Sequence, residues 1–306
     1  MSINRRTFLS QSALLSGSFF LKDQISEYEN STSFKIPSHF SLTILATNWG
    51  FKGSWDEFCA KAKETGFDGI EVWLPGQKKG QEDLFEAIEK YELKYAFLAA
   101  GRENNFEKHL AQFQESVENA VAFKPLFVNC HSGRDYFTFE QNKQFIDFTT
   151  ALTQSSSVRI YHETHRGRML FAAHIAKNFI GKIPGLRLTM DISHWCNVHE
   201  SLLDDQQETI DLAISRTDHI HSRVGHAEGP QVTDPRDPGW KKEVKAHFQW
   251  WDQVVKHKIE AKHPLTMTAE FGPANYMATV PYTHQPLADL WDINAYMMRL
   301  WKERYS

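Results

Sequence analysis

From residue 40 onward, short apolar runs alternate with longer segments in which apolar residues recur every three or four positions. The runs are the length of buried strands and the segments carry the helical period, so the chain reads as repeated strand-then-helix units rather than hairpins. Strands are predicted at 42–47, 69–74, 94–99, 126–130, 158–162, 187–191, 219–223 and 265–270. Amphipathic helices are predicted at 54–65, 106–122, 139–154, 202–215, 241–259 and 287–304. Local chemistry supports the first of these, because Ser54 and Glu57 have capping-box spacing and Gly66 stands where a helix C-cap belongs. Eight units in one stretch of this length predict an α/β fold, a (β/α)8 TIM barrel in a single domain over residues 38–306. A doubly wound sheet would need a glycine-rich phosphate turn after its first strand, and Thr47-Asn48-Trp49-Gly50 offers one glycine.

The start of the chain follows a different pattern. Asn4-Arg5-Arg6-Thr7-Phe8-Leu9 precedes an uncharged stretch to Leu21 that is too short and too serine-rich to span a bilayer. Residues 1–21 resemble a twin-arginine export signal, which implies the twin-arginine machinery as a partner and a periplasmic or exported protein. Residues 22–37 read as a linker.

At 41% hydrophobic and 24% charged, the composition excludes a disordered chain and a polytopic membrane protein. The net charge of −4 argues against a nucleic-acid partner, which calls for a basic face. Cys59, Cys130 and Cys196 are too scattered for a disulfide framework or a metal knuckle and are expected to be buried apolar residues. Fifteen histidines make their placement the informative question.

In a barrel the active site is built from the C-terminal ends of the strands. Glu163, Asp191, His221 and Glu270 stand at the ends of the fifth to eighth predicted strands, so the fold would gather them on one side of the mouth. Three carboxylates and an imidazole suit one divalent cation, Mn²⁺, Mg²⁺, Co²⁺ or Zn²⁺, and carboxylates crowded at one point need such a cation. His194, three residues past Asp191, and Arg223 are candidate donors to substrate oxygens. Trp49, His131 and His165 lie at strand ends or in the next loop, where they would suit a sugar ring. Glu71 is expected to bind a substrate hydroxyl or to hold Arg102 or Arg166.

The ordered set Glu163, Asp191-x-x-His194, His221-x-Arg223 and Glu270, with Gly66-Phe67-Asp68-Gly69-Ile70-Glu71 before it, resembles the xylose isomerase-like TIM barrels, and among them the sugar phosphate isomerase/epimerase group. The resemblance implies one divalent metal held by Glu163, Asp191, His221 and Glu270. It further implies Glu163 and Glu270 as the acid/base pair, and His194 and Arg223 as substrate contacts. The expected activity is isomerisation or epimerisation of a sugar through proton abstraction next to a carbonyl.

A phosphate-binding turn is not evident near strands seven and eight, so a neutral sugar is expected. The long loop after strand seven reads as a substrate lid, with Gln231, Arg236 and Trp240 as contacts. Three other functions share these residues: a 3-keto-glycoside lyase, an abasic-site endonuclease and a non-catalytic sugar-binding protein. The endonuclease reading has His131 and Asp234 in its favour. Against it, Ala99-Ala100-Gly101 ends strand three without a histidine, and Arg236 stands where an Asp-x-His pair would finish. A homo-oligomer is also a candidate, with Trp250-Trp251 either a contact between copies or part of the core.

Overall fold

The computed structural model describes residues 34–305. The expected export segment and the linker up to residue 33 lie outside the described residues. Eight strands close into one parallel barrel in chain order: β1 Leu42–Ala46, β2 Gly69–Trp73, β3 Lys94–Ala100, β4 Phe127–His131, β5 Arg159–Glu163, β6 Leu188–Met190, β7 Thr217–His221 and β8 Leu265–Ala269. The ring closes where β1 pairs in parallel with β8 along its whole length, from Leu42 opposite Leu265 to Ala46 opposite Ala269.

Around the barrel lie α1 Trp55–Thr65, α2 Lys78–Lys90, α3 Phe106–Ala122, α4 Phe139–Ser156, α5 Ala173–Lys182, α6 Ser193–Val198, α7 Gln207–Ile214, α8 Lys241–Glu260 and α9 Leu290–Tyr305. The capping box at Ser54 and Glu57 is formed, and Gly66 closes α1 at φ 104°, a left-handed conformation that favours glycine. Helix α2 escapes the sequence pattern because it starts without a side-chain cap and buries only Leu84, Ala87 and Ile88. The expected helix at 202–215 shortens to α7, since 202–206 forms a turn.

One side chain shows which way β5 faces. His162 reaches outward to α4, with its ring 2.8 Å from Thr149 Oγ1 and 2.7 Å from Ser132 Oγ. Side chains alternate along a strand, so its neighbours Tyr161 and Glu163 point into the barrel. Tyr161 joins Leu45, Ala96 and Phe127 in a small apolar cluster, and the Phe127 ring in turn lies 4.4 Å from that of His219. On the outer side a much larger apolar cluster fills the layer between barrel and helices.

This packing bears on two expectations. Trp250 and Trp251 are buried, at 6% and 0% exposed, with Trp251 against Trp301 of α9 at 5.4 Å. They belong to the core and offer no surface to another copy. The loop after β7 is pinned to the barrel rather than poised over it: Gln231 exchanges two hydrogen bonds with the Gly272 backbone, and Arg236 pairs with Asp234 and Asp292. Trp240 packs on His226. The three cysteines are free and buried, as expected.

Two buried histidines make stability pH-dependent. His162 sits between its two hydroxyls, and burial lowers its pKa to about 3. His247 accepts from Gly225 N–H and donates to the Glu243 carbonyl, and burial lowers its pKa to about 4. Both stay neutral in the folded protein while the unfolded chain takes up a proton near pH 6.5. Their contribution is therefore complete above that pH and is lost as pH falls toward 4, by about 2 kcal/mol per histidine at pH 5. Thermal unfolding should show the melting temperature falling from pH 7 to pH 5, with a shallower fall in His162→Asn. A profile flat over that range would contradict neutral burial.

Candidate active site

Each predicted metal ligand is delivered by a strand end. Glu163 is the last residue of β5 and His221 the last of β7, while Asp191 and Glu270 immediately follow β6 and β8. Strand β6 is only three residues long, with a register shift between Leu188 and Thr189 against β7. The chain therefore leaves the sheet at Asp191, whose backbone is held by Thr164: Asp191 N–H donates to Thr164 Oγ1, and that hydroxyl donates to the Asp191 carbonyl, both at 2.9 Å.

The structure brings the four side chains together, with one potential ligand atom from each within 4.8 Å of all the others. His221 is oriented from behind. Its Nε2 lies 3.0 Å from Glu71 Oε2, a proton-mediated contact that makes Nδ1 the ring atom turned toward the other acidic groups. That Nδ1 faces Glu270 Oε2 at 2.9 Å and Glu163 Oε2 at 3.6 Å. Neither approach has hydrogen-bond geometry, and His221 Nδ1, Glu270 Oε2 and Glu163 Oε1 are buried without a partner. Buried lone pairs converging on one point are costly alone and suit a cation between them.

Electrostatics agree with crowding. Burial raises Asp191 to about 6, with the charges of Glu270 and Glu163 adding to the effect and Arg223 opposing it. Burial works against a charged His221, yet Glu270, Glu71 and Glu163 together hold its pKa well above the usual imidazole value. Three carboxylates here have Arg223 as their one permanent cation, with His221 and His131 beside them, so a divalent ion fits the donor set.

Arg223 is fully buried and well supplied with partners. Its guanidinium meets Asp191, lies 2.9 Å from His194 Nε2 and donates to the Glu270 carbonyl at 3.2 Å. It also lies over the Tyr276 ring, 4.7 Å from the centroid.

Above the donors opens a cavity of about 490 Å³, lined by Trp49, Trp73, His131, His165, Arg168, Arg223, Glu270 and Tyr276 among others. Trp49 reaches the mouth because Gly272 has no side chain: a Cβ there would meet the indole at 2.3 Å. Of the expected substrate contacts, Trp49, His131, His165 and Arg223 line this cavity. Glu71 and His194 do not. His194 is fully buried, its ring 3.9 Å from that of His165 and its Nδ1 unpartnered. Glu71 touches neither Arg102 nor Arg166, because its Oε2 gathers His219 Nε2 at 3.2 Å, His221 Nε2 and the Thr268 hydroxyl. Those partners hold its carboxyl below the usual range in spite of burial.

Residues 59–229 match the family model described as xylose isomerase-like TIM barrel. The chain belongs to that family. No curated protein matches it in sequence. Among solved structures it is similar to the 3-keto-D-glucoside 4-epimerase of E. coli at 15% identity, covering 86% of this chain and 100% of that one, with a TM-score of 0.54. It is also similar to the probable 3-DHS dehydratase of Bacillus anthracis, at 15% identity and a TM-score of 0.56 over 85% and 98% of the two chains. Endonuclease IV from Thermus thermophilus is a third, at 13% identity and 0.52 over 86% and 97%. At these identities the likeness shows the barrel and leaves the reaction to the site.

Several site residues of this xylose isomerase-like barrel escape the sequence pattern. Asn129, inward-facing on β4, donates to Glu163 Oε2 at 2.9 Å, and alternation from His131 was the available signal. Tyr276 and Arg168 come from loops, where no period marks them. Asp234, the extra ligand an endonuclease would need, is taken up by Arg236.

Proposed function

We propose that this enzyme is a divalent-metal-dependent sugar isomerase or epimerase that abstracts a proton next to a carbonyl. The observation that carries the reading is the convergence of Glu163, Asp191, His221 and Glu270 with unpartnered lone pairs below a sugar-sized cavity. Those four residues would hold the metal, which when bound supplies Lewis-acid stabilisation of the negative charge that forms as the proton leaves.

The chain's own groups supply the rest. Glu270 opens on the cavity and acts as the first base. Glu163 lies one layer deeper, its Oε2 within 2.9 Å of both Asn129 Nδ2 and His131 Nε2. His131 lines the cavity and connects that carboxylate to the opposite side of the substrate, so a proton can be returned to the other face or to the adjacent carbon. Arg223 faces the developing oxyanion from a position fixed by Asp191 and His194. Trp49, Trp73 and Tyr276 offer aromatic faces to a ring and exclude water from the reacting centre.

Similarity to a 3-keto-glucoside epimerase and to a probable dehydratase supports proton abstraction in a barrel of this shape. With a leaving group beside the carbanion, the same step becomes the elimination of a 3-keto-glycoside lyase. The test is proton exchange in heavy water with ketoses, aldoses and 3-keto-glucosides, read by NMR with Mg²⁺ present and after chelation. Metal-dependent deuterium uptake beside a carbonyl is expected, and the accompanying product separates isomerase or epimerase from lyase. Tight metal binding with no uptake from any sugar would discard this function.

A further inference from the structure

Resting on that reading, we propose that the substrate carries an anionic group, bound by Arg168 together with Arg134 and Arg102 at the β3 to β5 side of the mouth. The expectation of a neutral sugar is thereby replaced by an acidic one.

The loops after β3, β4 and β5 bring four arginines to this side of the barrel: Arg102, Arg134, Arg166 and Arg168. Arg168 lines the same cavity as Glu270 and His131. Arg134 donates to the Arg102 carbonyl at 3.2 Å, and the Arg102 guanidinium lies 5.9 Å from the ring of Trp73, another lining residue. Arg166 sits 4.9 Å over the Tyr276 ring.

These four have no acidic partner, which they share with Arg159, Arg216 and Arg299 among the described residues, and they differ from those three in standing together at the mouth. Arg187, Arg223, Arg236 and Arg304 each form an ion pair with an aspartate. Among the described residues, none of the four at the mouth has a carboxylate within ion-pair distance. Two of their nitrogens, Arg134 Nε and Arg168 Nη1, are buried without any hydrogen-bond acceptor. Removing a guanidinium donor from water without a partner is unfavourable, and an arrangement that does so beside a ligand cavity is completed by an acceptor on the ligand. Burial, and then the charge of Arg134, lower the pKa of Arg168, with Arg102 adding to the effect and Glu163 and Asp135 opposing it.

A forked guanidinium matches the two oxygens of a carboxylate or phosphate. The chain as a whole is acidic, at −4, so this cationic patch is local. A cavity of about 490 Å³ lined by both Glu270 and Arg168 can seat a single sugar with its acid group on the arginines and its reacting carbons over the metal donors.

The experiment is calorimetric titration of the full chain with matched probes: D-glucuronate against D-glucose, D-galacturonate against D-galactose, and D-glucose 6-phosphate. Binding needs no turnover, so this test stands apart from the exchange experiment above. At least one acid should bind about tenfold or more tightly than its neutral partner, and whether it is a uronate or the phosphate identifies the anionic group. Arg168→Gln should remove the preference and Arg168→Lys should retain part of it. Arg102→Ala, at an exposed position where folding is not at risk, should weaken it several-fold. Equal or absent binding in every pair, or a preference that survives Arg168→Gln and Arg102→Ala, overturns the proposal.

Discussion

Glu270→Gln is expected to reduce turnover at least about a thousandfold while leaving the barrel folded. The replacement keeps the size of the side chain and removes one charge from a cluster where Glu163, Asp191, His221 and Glu270 lie within 4.8 Å. In the metal-free protein, two effects oppose. The variant loses attraction to His221 Nδ1 at 2.9 Å and to Arg223 Nη1 at 3.4 Å, and it relieves repulsion with Asp191, whose pKa Glu270 helps to raise. The metal-free melting temperature should therefore stay within about 4 °C of the parent, a change of about 1 kcal/mol. The metal-loaded protein behaves differently, because a lost ligand removes the stabilisation that saturating metal gives the parent. Turnover assays with paired melting curves, with and without Mg²⁺, check both halves. Full activity in Glu270→Gln would exclude the residue from proton transfer and from the metal.

Glu71 should matter almost as much without touching substrate. It is 1% exposed, and its Oε2 collects His219, His221 and the Thr268 hydroxyl, two of them from β7 and one from β8. Removing one partner from such a buried charged network leaves the others uncompensated, so Glu71→Ala should cost about 3–5 kcal/mol in denaturant unfolding. The milder Glu71→Gln keeps the shape but no longer enforces the proton on His221 Nε2, because the amide can present either an oxygen or an NH₂. Metal affinity should fall about 10–100-fold, as it does when the group orienting a ligating histidine is changed. Calorimetric titration with Mn²⁺ reads this directly. Unchanged affinity would mean that His221 Nδ1 is not a ligand.

Much of this molecule was legible in the linear pattern. Period alone placed every strand to within two residues of its observed ends, because a strand buried between a barrel interior and a helical layer must be apolar where it packs and must stop where it meets water. The order of polar residues at those ends then placed Glu163, Asp191, His221 and Glu270 at one mouth, since a parallel barrel presents all its C-terminal strand ends on one face.

The gaps have a common cause. Trp250 and Trp251 stand on a helix with lysines before and after, and only tertiary packing, which sets Trp251 against Trp301 of α9, shows that both are buried. Glu71, at a strand end, reads as a group for a substrate hydroxyl or for Arg102 or Arg166, because its residue type suits either role. Its real partners, His219 and His221, stand 148 and 150 positions away and meet it across the closed barrel. Arg168, Arg134 and Arg102 come from three loops, where no periodicity says which way a side chain turns. Local sequence determined each segment's backbone, and which of its faces is apolar, through steric and hydrophobic preferences acting over a few residues. Which buried charge faces which, and what cavity they enclose, was decided by barrel closure, because these contacts join segments that only the assembled fold brings together.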